Sequence, residues 1–330
     1  PTPLQKQCCW AGEFGWLCCM VPLRHRHKLE TTVKEEYAEY EGLVANTPMR
    51  RLRKLVARDD VEVYGKLEGT NLGGSVKDRA ALAMISSAET SGQLEGGRIL
   101  VEATSGNTGI ALAMIAALKK RPISLLLPAS ATPERRAIMK AYGAEVILVE
   151  EGMERARDLA QEMHDRGTHF QLNQFANEAN PQIHYETTGP EIWRDTACRV
   201  THFVSSMGTT GTIMGTSRFL KEQDRAVQIV GVQPEDGSRI PGIRRWTPEY
   251  LPKIYDASRV DRIIDVSAEA AGQCTRSLST EEGLFVGLSS GGACVAALEV
   301  AQTADPGSVI VFIVCDRGDK YLSMPELFPA

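Results

Sequence analysis

Lys77 stands in Asn71-Leu72-Gly73-Gly74-Ser75-Val76-Lys77-Asp78-Arg79, with small, flexible residues before it and an apolar segment of helical spacing after it. A lysine ammonium is a poor nucleophile. Burial against apolar groups lowers its pKa, so that the amine can condense with a carbonyl and, once displaced, serve as a general base. The Gly73-Gly74 pair and Ser75 let a bound group approach the backbone closely. Taken alone, this lysine reads equally well as an exposed residue at a helix start. Three further loops change that balance.

The first is Thr104-Ser105-Gly106-Asn107-Thr108-Gly109, between an apparent strand and an apolar helix. Hydroxyls, an amide and unpaired backbone N–H groups at a helix N-terminus make an anion site suited to a substrate carboxylate. Plain N-capping by Ser105 or Thr108 explains part of the composition but not six consecutive small or polar residues. The second, Gly208-Thr209-Thr210-Gly211-Thr212, also joins strand to helix and reads as a phosphate cradle. It lacks the Gly-Lys-Ser/Thr ending of a nucleotide-triphosphate loop and the GxGxxG dinucleotide pattern. The third is Gly287-Leu288-Ser289-Ser290-Gly291-Gly292. A serine beside a pyridine nitrogen leaves that nitrogen largely unprotonated, which weakens the ring as an electron sink and favours direct β-elimination. A lysine, an anion loop, a phosphate cradle and a serine, in this order at strand ends, together describe a site for pyridoxal phosphate.

The elements that position these loops alternate. Strand patterns at 61–67, 98–103, 123–127, 145–149, 202–206, 227–232 and 309–315 are interleaved with helix patterns. The helices fall at 76–91, 107–119, 132–142, 152–166, 181–196, 212–223, 268–282 and 291–301. Such alternation predicts an α/β fold of mainly parallel twisted sheets covered on both faces, with right-handed crossovers. A length of 330 residues favours two domains.

A formal net charge of −5, from 37 basic and 42 acidic residues, argues against nucleic acid as a partner. The longest apolar run, Ile110 to Leu118, is too short for a bilayer span and reads as a buried helix. Eight cysteines show no disulfide framework, so a reducing cytoplasm is expected. Four of them (Cys8, Cys9, Cys18 and Cys19) fall in the first 30 residues, which have no periodicity and read as a disordered extension. Their spacing to His25 and His27 matches no common zinc pattern, and no metal is expected. Cys315 ends an apolar strand and reads as a buried structural thiol.

The four motifs around Lys77, Thr104–Gly109, Gly208–Thr212 and Gly287–Gly292 resemble those of the cysteine synthase family of fold-type II pyridoxal phosphate enzymes. The likeness runs from Gly42-Leu43-Val44-Ala45-Asn46-Thr47-Pro48 to the C-terminus. Met207 to Thr212, Pro241-Gly242-Ile243-Arg244-Arg245-Trp246, Glu249-Tyr250-Leu251-Pro252 and Cys315-Asp316-Arg317-Gly318-Asp319 resemble the B-isozyme branch of that family. The resemblance implies two three-layer αβα domains of the tryptophan synthase β kind, a mobile one at 70–178 and a larger one of 31–69 plus 179–330. The cofactor would lie between them.

The resemblance also implies roles. Lys77 would carry the cofactor, Asn107 would bond its ring oxygen, Gly208, Thr209, Thr210, Gly211 and Thr212 its phosphate, and Ser289 its ring nitrogen. Thr104, Ser105, Asn107, Thr108 and Gln174 would hold the substrate carboxylate, and Arg244 and Arg245 would face an anionic sulfur donor. By composition alone those two arginines are simply solvated. The implied reaction is β-replacement on O-acetyl-L-serine with sulfide or thiosulfate by a homodimer. A serine or threonine dehydratase, a cystathionine β-synthase (with Cys18 and His25 as haem ligands) and a non-catalytic partner-binding scaffold are the alternatives.

Overall fold

A computed structural model describes residues 43–104, 106–324 and 327. The N-terminal cysteines and histidines, and with them the zinc and haem readings, lie outside the described residues, as does Ser105.

The apolar run Val309–Val314 forms β10, in which all six residues are buried, as a central strand covered on both faces requires. It pairs in parallel with β2 (Glu62–Leu67) on one side and β7 (His202–Ser206) on the other. The sheet continues through β8 (Gln228–Pro234) to β9 (Arg262–Val266) and ends beyond β2 in β1 (Met49–Arg51), its one antiparallel strand among the described residues. A second sheet of four parallel strands has the order β5 (Glu145–Val149), β4 (Ile123–Pro128), β3 (Ile99–Ala103), β6 (His169–Gln171). The α/β class and the predominance of parallel pairing are as the sequence predicts.

The helices are α1 (Lys77–Thr90), α2 (Asn107–Leu118), α3 (Pro133–Ala141), α4 (Met153–Asp165), α5 (Ala179–Ile183), α6 (Gly189–Asp195), α7 (Gly211–Gln223), α8 (Ala268–Thr280) and α9 (Leu288–Thr303). Helix α2 is apolar almost all round, and Thr108 through Ala116 are buried in the core of the four-stranded unit.

Three strands escape the sequence reading: β1, β6 and β9. The first two have three residues each, too few to show a period, and β9 exposes three of its five, with only Ile264 and Val266 alternating into the core. The helix expected at 181–196 begins at Ala179 and is interrupted by a π turn at His184–Thr188. Gly215 of α7 lies against this stretch, where an added Cβ would meet the Pro181 carbonyl oxygen at 1.9 Å. Helix α9 starts at Leu288, three residues ahead of expectation. Ser289 and Ser290 therefore lie in its first turn and Gly287 holds the N-cap position.

Two residues past Lys77, Arg79 is fully buried. Its guanidinium meets Glu68 at 2.7 Å and Glu191 at 2.6 Å, tying α1 to the chain after β2 and to α6. Lys66 adds a contact to Glu191 at 2.8 Å, and Thr47 donates to Glu68 at 2.7 Å. Removing one partner of a buried pair leaves its carboxylates uncompensated, at a cost of about 3–5 kcal/mol. Arg79→Met should therefore lower unfolding stability by about that amount in urea denaturation. A change under about 1 kcal/mol would show that the network does not hold α1 in place.

Candidate active site

A cleft of about 1200 Å³ opens where β3, β7 and β10 end, and Lys77, Asn107, Ser289 and Cys315 all line it. Strand C-termini are where parallel sheets gather ligand-binding loops. The approach to Lys77 is fixed by the larger sheet. Val76 N–H donates to the Cys315 carbonyl at 2.8 Å, and Ser75 bridges to Asp316. Gly73 and Gly74 fold over Asp78, whose carboxylate accepts from Gly73 N–H at 2.6 Å. Gly74 has φ +78°, a conformation that favours glycine.

Lys77 is half-buried, walled by protein yet open to the cleft. Burial drives its pKa below the ordinary lysine value, while Cys315, Asp316, Glu68 and Asp78 pull the other way. The result favours a neutral amine more than water does. Its neighbour Cys315 is pushed up to about 11 by burial, so the thiol keeps its proton at neutral pH. The residue nevertheless lines the cleft, a position that its apolar strand did not reveal.

The anion loop sits at the N-terminus of α2. Thr104 and Thr108 are buried and line the cleft with Gly106 and Asn107. Thr108 Oγ1 donates to Gln174 Oε1 at 2.8 Å. Gln174 in turn donates from Nε2 to Glu102 at 3.3 Å, and Glu102 also accepts the backbone N–H groups of Asn173 and Gln174. Thr108 thus spends its proton on Gln174, which leaves the backbone N–H groups of the helix start as donors for a carboxylate.

The phosphate loop opens α7. Thr210 takes the left-handed conformation at φ +70°, turning the chain into the helix. Gly208 and Gly211 are both crowded: an added Cβ would meet the Gly242 carbonyl at 2.7 Å and the Asn180 amide at 2.0 Å. Asn180 donates to the Gln174 carbonyl at 2.9 Å and to Thr209 at 3.3 Å, joining the two anion loops. Thr212 meets His184 Nε2 at 3.2 Å, and burial depresses His184 to about 3, so its ring is neutral. The hydroxyls of Thr210 and Ser205 are buried without a protein partner. A buried orphan hydroxyl beside a helix N-terminus is what a bound phosphate would satisfy.

Ser289 is buried at the cleft wall, its carbonyl accepting from Ser206 at 2.7 Å. Arg244 lines the cleft with its side chain exposed, whereas Arg245 is drawn to Asp265 at 2.6 Å and Asp236 at 3.1 Å. Trp246 anchors this loop through Nε1 to the Gly208 carbonyl at 2.8 Å. Every predicted site residue among those described lines the cleft or belongs to a loop that does. Glu102, Asn180, His184 and Lys320 support the site but escaped the sequence reading, and Asp316 entered it only within a family motif, because their partners lie far away in the chain. The Glu102 carboxylate, one residue before Ala103 in an otherwise apolar strand, was the one legible hint.

A lysine with a destabilised charge, a crowded glycine-rich phosphate loop and a serine in a helix turn suit pyridoxal phosphate. The chain belongs to the family of pyridoxal-phosphate dependent enzymes, whose model matches residues 40–316. Within it, the chain is 58% identical over 285 residues to cysteine synthase B of Salmonella typhimurium, covering 86% of this chain and 94% of that protein. It is 57% identical over 290 residues to cysteine synthase B of Pseudomonas aeruginosa, covering 87% and 97%. The crystal structure of a cysteine synthase from Entamoeba histolytica matches with a TM-score of 0.82 at 32% identity, over 93% of this chain and 94% of that one.

Burial raises Glu102 to about 7 from its ordinary 4.5, against the three N–H groups that favour its charged form. Between these values the folded protein holds a proton that the unfolded chain has lost. The associated stability is full below about 4.5 and is lost as pH rises through 7, a span of about 3 kcal/mol at most. Glu102→Gln should remove that slope from a plot of melting temperature against pH between 4.5 and 8. An unchanged slope would mean that Glu102 ionises normally.

Proposed function

We propose that this chain catalyses β-replacement on O-acetyl-L-serine, using sulfide or thiosulfate to give L-cysteine or S-sulfocysteine and acetate. The observation that carries the reading is Lys77, driven toward its neutral form where the two anion loops and Ser289 converge. Likeness to two cysteine synthase B proteins at 57–58% identity supports the substrate class.

When bound, pyridoxal phosphate supplies the carbonyl that Lys77 engages and the electron sink that acidifies the substrate α carbon. The chain's residues do the rest. Backbone N–H groups at the start of α2, with Gln174 beside them, hold the substrate carboxylate. The start of α7 with Thr209 and Thr212 holds the phosphate. Ser289 offers a hydroxyl to the ring nitrogen and no formal charge, which suits rapid loss of acetate over a lasting carbanion. Lys77 Nζ, once displaced, takes the α proton. Acetate leaves with its bonding electron pair, and the sulfur nucleophile forms the new bond at the β carbon. Movement of the 70–178 unit over the cleft would exclude the water that diverts this chemistry to pyruvate. Arg244 supplies positive charge for a dianionic donor, and Arg245, committed to Asp265 and Asp236, braces the loop that carries it. The enzyme works as a homodimer in a reducing cytoplasm.

Lys77→Ala should lower turnover by at least about a thousandfold while circular dichroism stays native. Near-normal turnover would sink the mechanism. Steady pyruvate release without a sulfur donor would mean a dehydratase, and turnover with homocysteine a cystathionine synthase. Arg244→Ala should raise KM for thiosulfate about tenfold with little change for sulfide, the discrimination expected of one lost charge contact. Equal effects on both donors would remove Arg244 from donor recognition.

A further inference from the structure

Lys320 belongs to none of the four motifs. It follows the last strand in the short helical turn Gly318–Tyr321, and lysines are seldom fully buried. It is only 3% exposed. Its Nζ donates to the Gly73 carbonyl at 2.9 Å and the Gly74 carbonyl at 3.0 Å, in the loop that leads to Lys77. It also donates to Asn107 Oδ1 at 3.2 Å. The same ammonium thus touches both the lysine loop and the anion loop.

Chemistry fixes which way the Asn107 amide points. An ammonium can only donate, so the edge facing Lys320 must be the oxygen. On the other edge Nδ2 donates to Asp316 Oδ2 at 2.7 Å, and an ionised carboxylate can only accept. A flipped amide would set N–H against N–H on one side and oxygen against oxygen on the other. Tyr321 secures the arrangement by donating its hydroxyl to the same Asp316 oxygen at 2.7 Å. One Nδ2 hydrogen is engaged by Asp316. The second is left for an acceptor in the cleft that Asn107 lines.

We propose that Lys320 is a positioning residue for the reaction, holding the Asn107 amide so that its remaining hydrogen serves the ring oxygen of the cofactor, and fixing the Gly73-Gly74 carbonyls so that Lys77 is presented to the same group. The inference rests on the cofactor reading above and deepens it. A buried lysine is costly to keep without partners. Burial lowers the Lys320 pKa below the ordinary lysine value, while Asp316, Asp78 and Asp319 attract the charge and Arg135, stacked 4.9 Å over the Tyr321 ring, opposes it. A methionine would fill the same space with no need for partners, but it would leave the amide without a donor on its oxygen edge.

The test is titration of cofactor-stripped protein with pyridoxal phosphate, followed by the visible absorption band, for wild type, Lys320→Met, Lys320→Arg, Asn107→Ala and the Lys320→Met/Asn107→Ala double variant. Lys320→Met should bind the cofactor about tenfold more weakly and move the band maximum, as loss of one charge-assisted hydrogen bond predicts. Lys320→Arg, which can still donate, should restore both. In the Asn107→Ala background, Lys320→Met should add less than about twofold, because its effect passes through the missing amide. A Lys320→Met protein that melts earlier but keeps wild-type affinity and band would overturn the proposal. Effects that simply add to those of Asn107→Ala would overturn it too. If Lys320→Met does not fold, Lys320→Leu, which likewise has no donor, gives the same comparison. Absence of any band in wild type would instead bring down the cofactor reading, which keeps the two failures apart.

Discussion

The chemistry of this site depends on a lysine that must shed its proton, and that lysine is only as well placed as the helix it begins. Two residues further on, Arg79 sits where water cannot reach, satisfied by Glu68 on one side and Glu191 on the other. The guanidinium cannot move without exposing two buried carboxylates to an apolar interior, so the first turn of α1 cannot drift. The loop ahead of Lys77 is fixed from the opposite direction, by the end of β10 through Val76 and Ser75 and by Lys320 through the Gly73 and Gly74 carbonyls. One side of the reactive amine is thus held by ion pairs and the other by backbone hydrogen bonds.

The same constraint explains why the anion loops are crowded. Gly208 and Gly211 have no room for a side chain because the 242 backbone and Asn180 press against them, and Asn180 reaches on to Gln174. A ligand held by the phosphate loop is therefore registered against the carboxylate loop through two amides, Asn180 and Gln174. Trp246 extends the linkage to the Arg244 loop by bonding the Gly208 carbonyl. Phosphate, carboxylate and donor loops form one connected frame, which is how three separate strand ends can serve a single reacting carbon.

Much of this was legible in the sequence. The apolar strand at 309–314, the glycine-rich turns and the helices after them are local signals, set by backbone freedom and by period. What stayed hidden was of two kinds. Edge strands β1 and β6, of three residues each, form on edges that their neighbours offer, and β9, though rich in isoleucine and valine, turns three of its five residues to solvent. The supporting side chains at Glu102, His184, Asp316 and Lys320 acquire roles only through partners far away in the chain; Lys320 and Gly73 are 247 positions apart. The early start of α9 shows the same limit. Its boundary lies three residues earlier than expected, which puts Ser289 in the first turn with Gly287 at the N-cap.

The charge state of the walls follows from burial. Cys315 is raised to about 11 and His184 lowered to about 3, so both are neutral at pH 7, and Lys77 is driven the same way. Each group by itself is a consequence of desolvation. Together they leave Cys315 and His184 uncharged beside the reacting amine, and the loops add donors from helix N-termini and hydroxyls. Anionic ligands then bring the charge with them, and backbone dipoles already oriented toward them need not reorganise on binding. Carboxylates close to Lys77 favour its ammonium form, as the pull of Asp316, Glu68 and Asp78 shows, and burial must oppose them, because a protonated lysine cannot receive the α proton.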